Sequence, residues 1–144
     1  MSVMTARAAR GATPRDGTPD LLRRSLRVDG VGTAVFGAVM LAGGRWLADP
    51  LGLPGDWFAP IGIGMLGGAA ALGLIAGYPR VPAGLARAAI AANALSGAVM
   101  LPLAVTGALP LTGLGVAFML AGAAWVLTFA GLTFAGLRQS GSHA

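Results

Sequence analysis

The chain alternates long apolar blocks with short polar ones, and that alternation predicts four helices. The first block reads LRVDGVGTAVFGAVMLAGGRW, Leu26 to Trp46, with its charges confined to Arg27 and Asp29 at the start and Arg45 at the end. From Val28 to Ala48 is about 21 residues, or roughly 31 Å of helix, enough to cross the hydrocarbon core of a bilayer. Three further blocks repeat the plan, which predicts spans at about 28–48, 58–78, 88–108 and 113–137.

The polar punctuation between the blocks supports the same division. Residues 1–20 are rich in Gly, Thr, Pro and Arg and carry no apolar period, so they predict a disordered tail. The apolar run behind them is too long for the core of a cleaved signal peptide, and no small-residue cleavage site follows it. The first span is therefore expected to stay in place. Asp20 is a candidate N-cap for a short basic segment, LLRRSLR, that sets Arg23, Arg24 and Arg27 at headgroup level. DPLGLPGDW is a Pro/Gly loop; Asp56 is a candidate cap for the second span, and Trp57 and Phe58 are interfacial. Pro60 falls in a first helical turn, where proline does least harm, and Pro79 stops the helix after Tyr78. Pro102 predicts a kink in the third span, unless neighbours satisfy the freed carbonyl. Thr112 caps the fourth span, and Arg138 closes it before a frayed tail over 139–144.

The spans also pair. GAVML occurs at Gly37–Leu41 and again at Gly97–Leu101, and the same offset of sixty superposes Arg27 on Arg87, Ala34 on Ala94 and Thr33 on Asn93. MLGGAA in the second span answers MLAGAA in the fourth. A helical hairpin copied once in the same orientation accounts for both matches; chance in a chain made mostly of Ala, Gly, Leu and Val is the alternative.

Composition strengthens the membrane reading. Only 10% of the 144 residues are charged, against about 25% in a soluble domain, too few to cover a water-facing surface. The net charge is +5, and every basic residue is Arg. The arginines lie beside the apolar blocks rather than on one face, so topology and anionic lipid explain them better than nucleic acid does. With the N-terminus in the cytoplasm, nine of the ten lie inside and only Arg45 outside, which places both termini on the cytoplasmic side of a plasma membrane. The chain has no cysteine, and its one histidine, His143, sits in the tail. Disulfides, thiolate chemistry, a Cys-type metal site and a His-ligated haem are excluded, and no cofactor is expected. No nucleophile, base or paired carboxylate sits where a catalytic set can converge, so an enzyme is not expected.

Two sets of residues stand out. Gly64 and Gly68, Gly73 and Gly77, and the row Gly30, Ala34, Ala38 and Ala42 recur at four-residue spacing, as do Gly131 and Ala135. Close backbone approach through such stripes holds helices together in lipid, so they predict a tight bundle, an oligomer or a docking face. The G-x-G-x-x-G at Gly62, Gly64 and Gly67 lies inside an apolar span, without the strand and acidic partner that a dinucleotide site needs, and belongs with the packing residues. The second set is polar: Asp29, Thr33 one turn on, and Asn93 at matching depth in the third span. These predict hydrogen bonding across helices near the cytoplasmic leaflet. Asp29 is near the edge, where Arg24 or Arg27 can neutralise it, so structural pairing stands beside proton or ion coupling as its role. Trp125, with Phe118, Gly122 and Phe129 on one face, is read as a lipid-facing stripe, with an apolar ligand wall as the alternative.

LRVDGVGTAVFG, LADPLGLP and AIAANAL together resemble small four-span integral membrane proteins common in actinobacteria. The matching positions are Leu26, Arg27, Asp29, Thr33 and Gly37, then Leu47 to Asp49, Leu51 to Pro54, and Ala91 to Asn93. The resemblance covers about residues 21–138 and implies a plasma-membrane protein with no assigned activity. The expected protein is thus an all-α, four-helix transmembrane bundle with a membrane domain over 21–138. It is expected to act through helix packing, as a homo-oligomer or an accessory subunit of a membrane complex, with lipids and a membrane protein as partners. The alternative is a small proton- or ion-coupled transporter using Asp29. Small multidrug exporters share four spans and one acidic residue in the first, but theirs lies deeper, and their other motif residues are missing here.

Overall fold

A computed structural model describes residues 20–142. Four α-helices follow one another: α1 (Asp20–Leu51), α2 (Phe58–Gly77), α3 (Ala83–Val105) and α4 (Gly113–Gly141). Among the described residues all four are long and apolar enough to cross a membrane. The chain is a multi-pass, all-helical bundle built as two consecutive antiparallel hairpins.

The boundaries follow local chemistry, with some differences from the sequence expectation. The basic segment LLRRSLR and the first span form one uninterrupted 32-residue helix that carries Pro50 in its last turn. Asp56 does not cap α2; it lies inside a 3₁₀ turn, Gly55–Trp57, and Trp57 takes the cap position without a side-chain bond. Thr112 does cap α4, accepting from the Gly115 N–H at 3.0 Å. α4 then runs to Gly141, so Gln139, Ser140 and Gly141 are helical rather than frayed. α3 begins at Ala83, earlier than expected, and Pro102 falls in its last turn, so the bond it cannot donate is lost near the end of the helix rather than in its middle. Of the tail expected over 1–20, Asp20 begins α1 and the rest lies outside the described residues, as does His143.

The first hairpin closes on a seven-residue rhythm. Gly30, Gly37 and Gly44 of α1 meet Ala69, Gly62 and Phe58 of α2: a Cβ at Gly37 would stand 3.0 Å from the Gly62 carbonyl oxygen, and one at Gly44 would stand 3.2 Å from Phe58 Cβ. Spacing of seven keeps contacts on one seam of a left-handed pair, and small residues let the backbones touch. The four-residue row expected in α1 is therefore split. Gly30 is in the seam, Ala34 beside it, and Ala38 exposed. On α2, Gly64, Gly68, Gly73 and Gly77 are exposed, and a Cβ on any of them would meet nothing. Of the four, Gly73 has its backbone N at 3.7 Å from a Cβ built on Gly30, at the edge of the α1 seam.

The second hairpin has a different register. Gly97 meets Leu127, and Gly122 meets the end of Met100. Copying the Gly37 register by the repeat offsets would have brought Gly97 to residues near 116–120. The motif repeats, but the helices have slid relative to each other by more than a turn.

α1 is the element shared by both hairpins. It runs antiparallel to α4, with Gly136 against the Leu22 backbone and Gly115 against the Leu51 carbonyl. A buried Ser25–Thr133 hydroxyl pair at 3.2 Å lies between them; Ser25 also donates to Leu22 O, so Thr133 is the donor in the pair. Arg23 donates to the carbonyls of Tyr78 and Pro79, both at 3.0 Å, satisfying the end of α2. α2 and α3, joined by the short link after Tyr78, barely touch. The bundle is thus an open arc, α2–α1–α4–α3, rather than a closed ring. Two apolar cores fill its ends, one around Leu22, Leu26, Leu72 and Ala76, the other around Met40, Leu51, Leu53 and Phe58.

Candidate functional site

Between the two cores lies a polar cluster facing an open space. Asp29 is fully buried, at 0% exposure. Its Oδ2 accepts from Asn93 Nδ2 of α3 at 2.6 Å. Its Oδ1 accepts from Trp125 Nε1 of α4 at 3.1 Å and from Thr33 Oγ1, one turn along α1, at 3.4 Å. The first bond is short, as bonds to carboxylates are; the last is long and contributes least. One carboxylate thereby ties α1 to both helices of the second hairpin.

The predicted trio of Asp29, Thr33 and Asn93 comes together. Two parts of the expectation change. Arg24 and Arg27 are exposed and turn outward, so three neutral donors hold Asp29 in place of an arginine. Trp125 faces inward rather than toward lipid, because an indole N–H in a dry span needs an acceptor and only the carboxylate supplies one. Gly32 makes the approach possible: a Cβ there would fall on the Trp125 ring. Phe129 packs on the same ring at a centroid distance of 4.7 Å, and Phe118 tilts against Phe36 at 5.6 Å. The sequence signal for Trp125 was its polar tip at mid-span; Gly32 carried no signal at all.

The cluster also lies deeper than its distance from Arg27 suggests. Asn93 is six residues past Arg87 on α3, about 9 Å of rise, and neighbouring Gly30 faces α2 at Ala69 to Gly73, well inside Tyr78.

Thr33, Asn93 and Trp125 form one wall of a cavity of about 810 Å³ between α2 and α3. Apart from Ser96, the rest is glycine, aliphatic, aromatic or methionine, including Phe36, Met40, Met65 and Met119, and no charged residue lines it. Gly64 and Gly68, without packing partners, face this space. Asp29 itself is sealed behind its three donors. Among the described residues no group of His, Cys, Asp or Glu can hold a metal. No family model, curated protein or solved structure matches the chain.

Proposed function

We propose that this is a non-enzymatic integral plasma-membrane protein, with both termini cytoplasmic, that works by taking a membrane-resident partner into the open side of its bundle. The observation that carries this reading is the gap itself. α2 and α3 flank an apolar cavity that the chain leaves open to the bilayer, while the Asp29 cluster holds α3 and α4 to α1 on the far side. Cavities of this size and lining commonly receive ligands. The distribution of arginines supports the orientation, and the resemblance to small four-span actinobacterial proteins supports the compartment.

The test is site-specific photo-crosslinking in native membranes. A photoreactive residue at Leu95, 67% exposed on the cavity rim, is expected to give a discrete, saturating adduct. The same residue at Leu74, 73% exposed and outside the cavity lining, is expected to give only diffuse lipid labelling. Equal labelling from the two positions overturns the reading.

Asp29 favours a second reading, coupled transport, because a buried carboxylate within a membrane span is costly to keep. Its seal and the uncharged cavity walls stand against it. If it holds, vesicles carrying the protein and a trapped pH dye show proton flux above that of empty vesicles, and Asp29→Asn abolishes it. Unchanged flux, or none in either protein, removes this reading.

A further inference from the structure

The cavity has a shape and a polarity pattern that narrow the class of occupant. Its lining runs from Trp57 to Ile75 along α2, about 27 Å of helix, close to the full thickness of the hydrocarbon core. The space is long, narrow and uncharged, within the range that single small ligands fill. Four methionines, Met40, Met65, Met100 and Met119, line it, and their unbranched side chains adapt to flexible apolar shapes.

The polar groups are not spread evenly. Asn93 gives one amide hydrogen to Asp29, whose carboxylate can only accept there, and this fixes the orientation of the amide. Its Oδ1 has no protein partner among the described residues, and no buried side-chain atom among them is left unsatisfied, so the oxygen is accessible from the cavity it lines. Ser96 lies one turn further on the same wall, its hydroxyl donated to Ala92 O and its lone pairs left to accept. In lipid there is no bulk water to satisfy such groups.

We propose that the α2–α3 cavity binds one uncharged, single-chain lipid drawn sideways from the bilayer, with a hydroxyl headgroup hydrogen-bonded to Asn93 and Ser96. The inference rests on the reading of the gap as a binding surface and names its occupant. The long arm of the cavity takes the chain. The Asn93 carboxamide oxygen offers an acceptor to the headgroup hydroxyl. The absence of charge in the walls discriminates against fatty-acid anions and quaternary amines, which would enter without a counter-charge.

The test uses the full chain in phosphatidylcholine nanodiscs with three diazirine probes of sixteen carbons: hexadecanol, hexadecane and hexadecyltrimethylammonium. The alcohol is expected to label cavity peptides saturably, to be displaced by unlabelled hexadecanol, and to outcompete the ammonium probe at least tenfold. Asn93→Ala is expected to weaken the alcohol about fivefold, the loss of roughly one hydrogen bond, and to leave hexadecane unchanged. Gly68→Phe fills the cavity from a position where a side chain meets nothing, and is expected to abolish labelling by both neutral probes. Gly67→Phe, its neighbour outside the lining, is the control for folding and is expected to label normally. Equal labelling by alcohol and ammonium, or an alcohol signal that survives Gly68→Phe, overturns the proposal. An adduct of protein mass at Leu95 in native membranes overturns it while leaving the broader reading intact; equal labelling at Leu95 and Leu74 removes both.

Discussion

Replacing Asp29 with leucine is expected to destabilise the bundle by about 3 kcal/mol, because three donors from three helices lose their acceptor together. Hydrogen bonds between membrane helices average only about 0.6 kcal/mol and reach about 1.7. The bonds from Asn93 and Trp125 belong at the upper end, since they go to a carboxylate and their donors have no alternative partner among the described residues. One opposing effect must be weighed. Removing a buried charge relieves desolvation, and exchanging a whole ionic group for an apolar one is often neutral. That relief fails here because leucine leaves the indole and amide hydrogens behind, in a wall that faces lipid rather than water. The sign is therefore set by the orphans. The triple variant Asp29→Leu, Asn93→Leu, Trp125→Phe removes the acceptor with its two shorter-bonded donors, leaving only Thr33, and is expected to be closer to wild type than the single change. Steric trapping in bicelles measures both. A single variant as stable as wild type would show that Asp29 does not hold the arc together.

The second large effect is expected at Gly52. Its φ is +68°, a left-handed conformation that costs an L-residue about 1–2 kcal/mol. A Cβ there would also run into the Pro110 carbonyl and the Thr112 N–H, both backbone and unable to swing aside. Overpacking of that kind adds about 1–3 kcal/mol. Gly52→Ala is expected to cost about 2–5 kcal/mol in total on those two grounds. The contact being pried apart is the seat of the α3–α4 link on the end of α1. There the Thr112 N–H donates to Leu51 O at 3.1 Å, and the Thr112 hydroxyl donates to Pro50 O at 2.6 Å. Gly107 supplies an internal control: its φ is +72°, but a Cβ there would meet nothing. Gly107→Ala should carry only the conformational part, about 1–2 kcal/mol. Equal costs at the two positions, measured in the same bicelles, would show that the seat on α1 contributes nothing.

The spans were legible in the sequence because lipid imposes a length and a hydropathy that few other environments demand. The pairing of Asp29 with Thr33 and Asn93 was legible as well, since two polar groups at one depth in a dry medium have little else to bond. What the sequence did not reveal is which way the helices face. α2, α3 and α4 are apolar on nearly every side, so nothing distinguishes a lipid-facing stripe from a buried one, and Trp125 was turned the wrong way for that reason. The small residues show the same limit. Gly64 and Gly68 have the spacing of a packing motif but look into a cavity, whereas Gly37, Gly62 and Gly115 make the close backbone approaches. Spacing reports what a helix can do; only the neighbour decides whether it does. The basic run LLRRSLR leads into the first span as expected, and the two are one helix because Arg23 turns onto the α2 carbonyls while Arg24 and Arg27 are exposed, leaving Leu22 and Leu26 in the core.

That continuity has a mechanical result. α1 is about 48 Å long, more than the roughly 30 Å of the hydrocarbon layer, and it has no hinge. Both of its ends are held by α4, Leu22 against Gly136 and Leu51 against Gly115, and Arg23 ties its first turn to the end of α2. One straight rod therefore sets the vertical register of the other helices, and the depth of the Asp29 carboxylate is fixed by the same packing that fixes the ends.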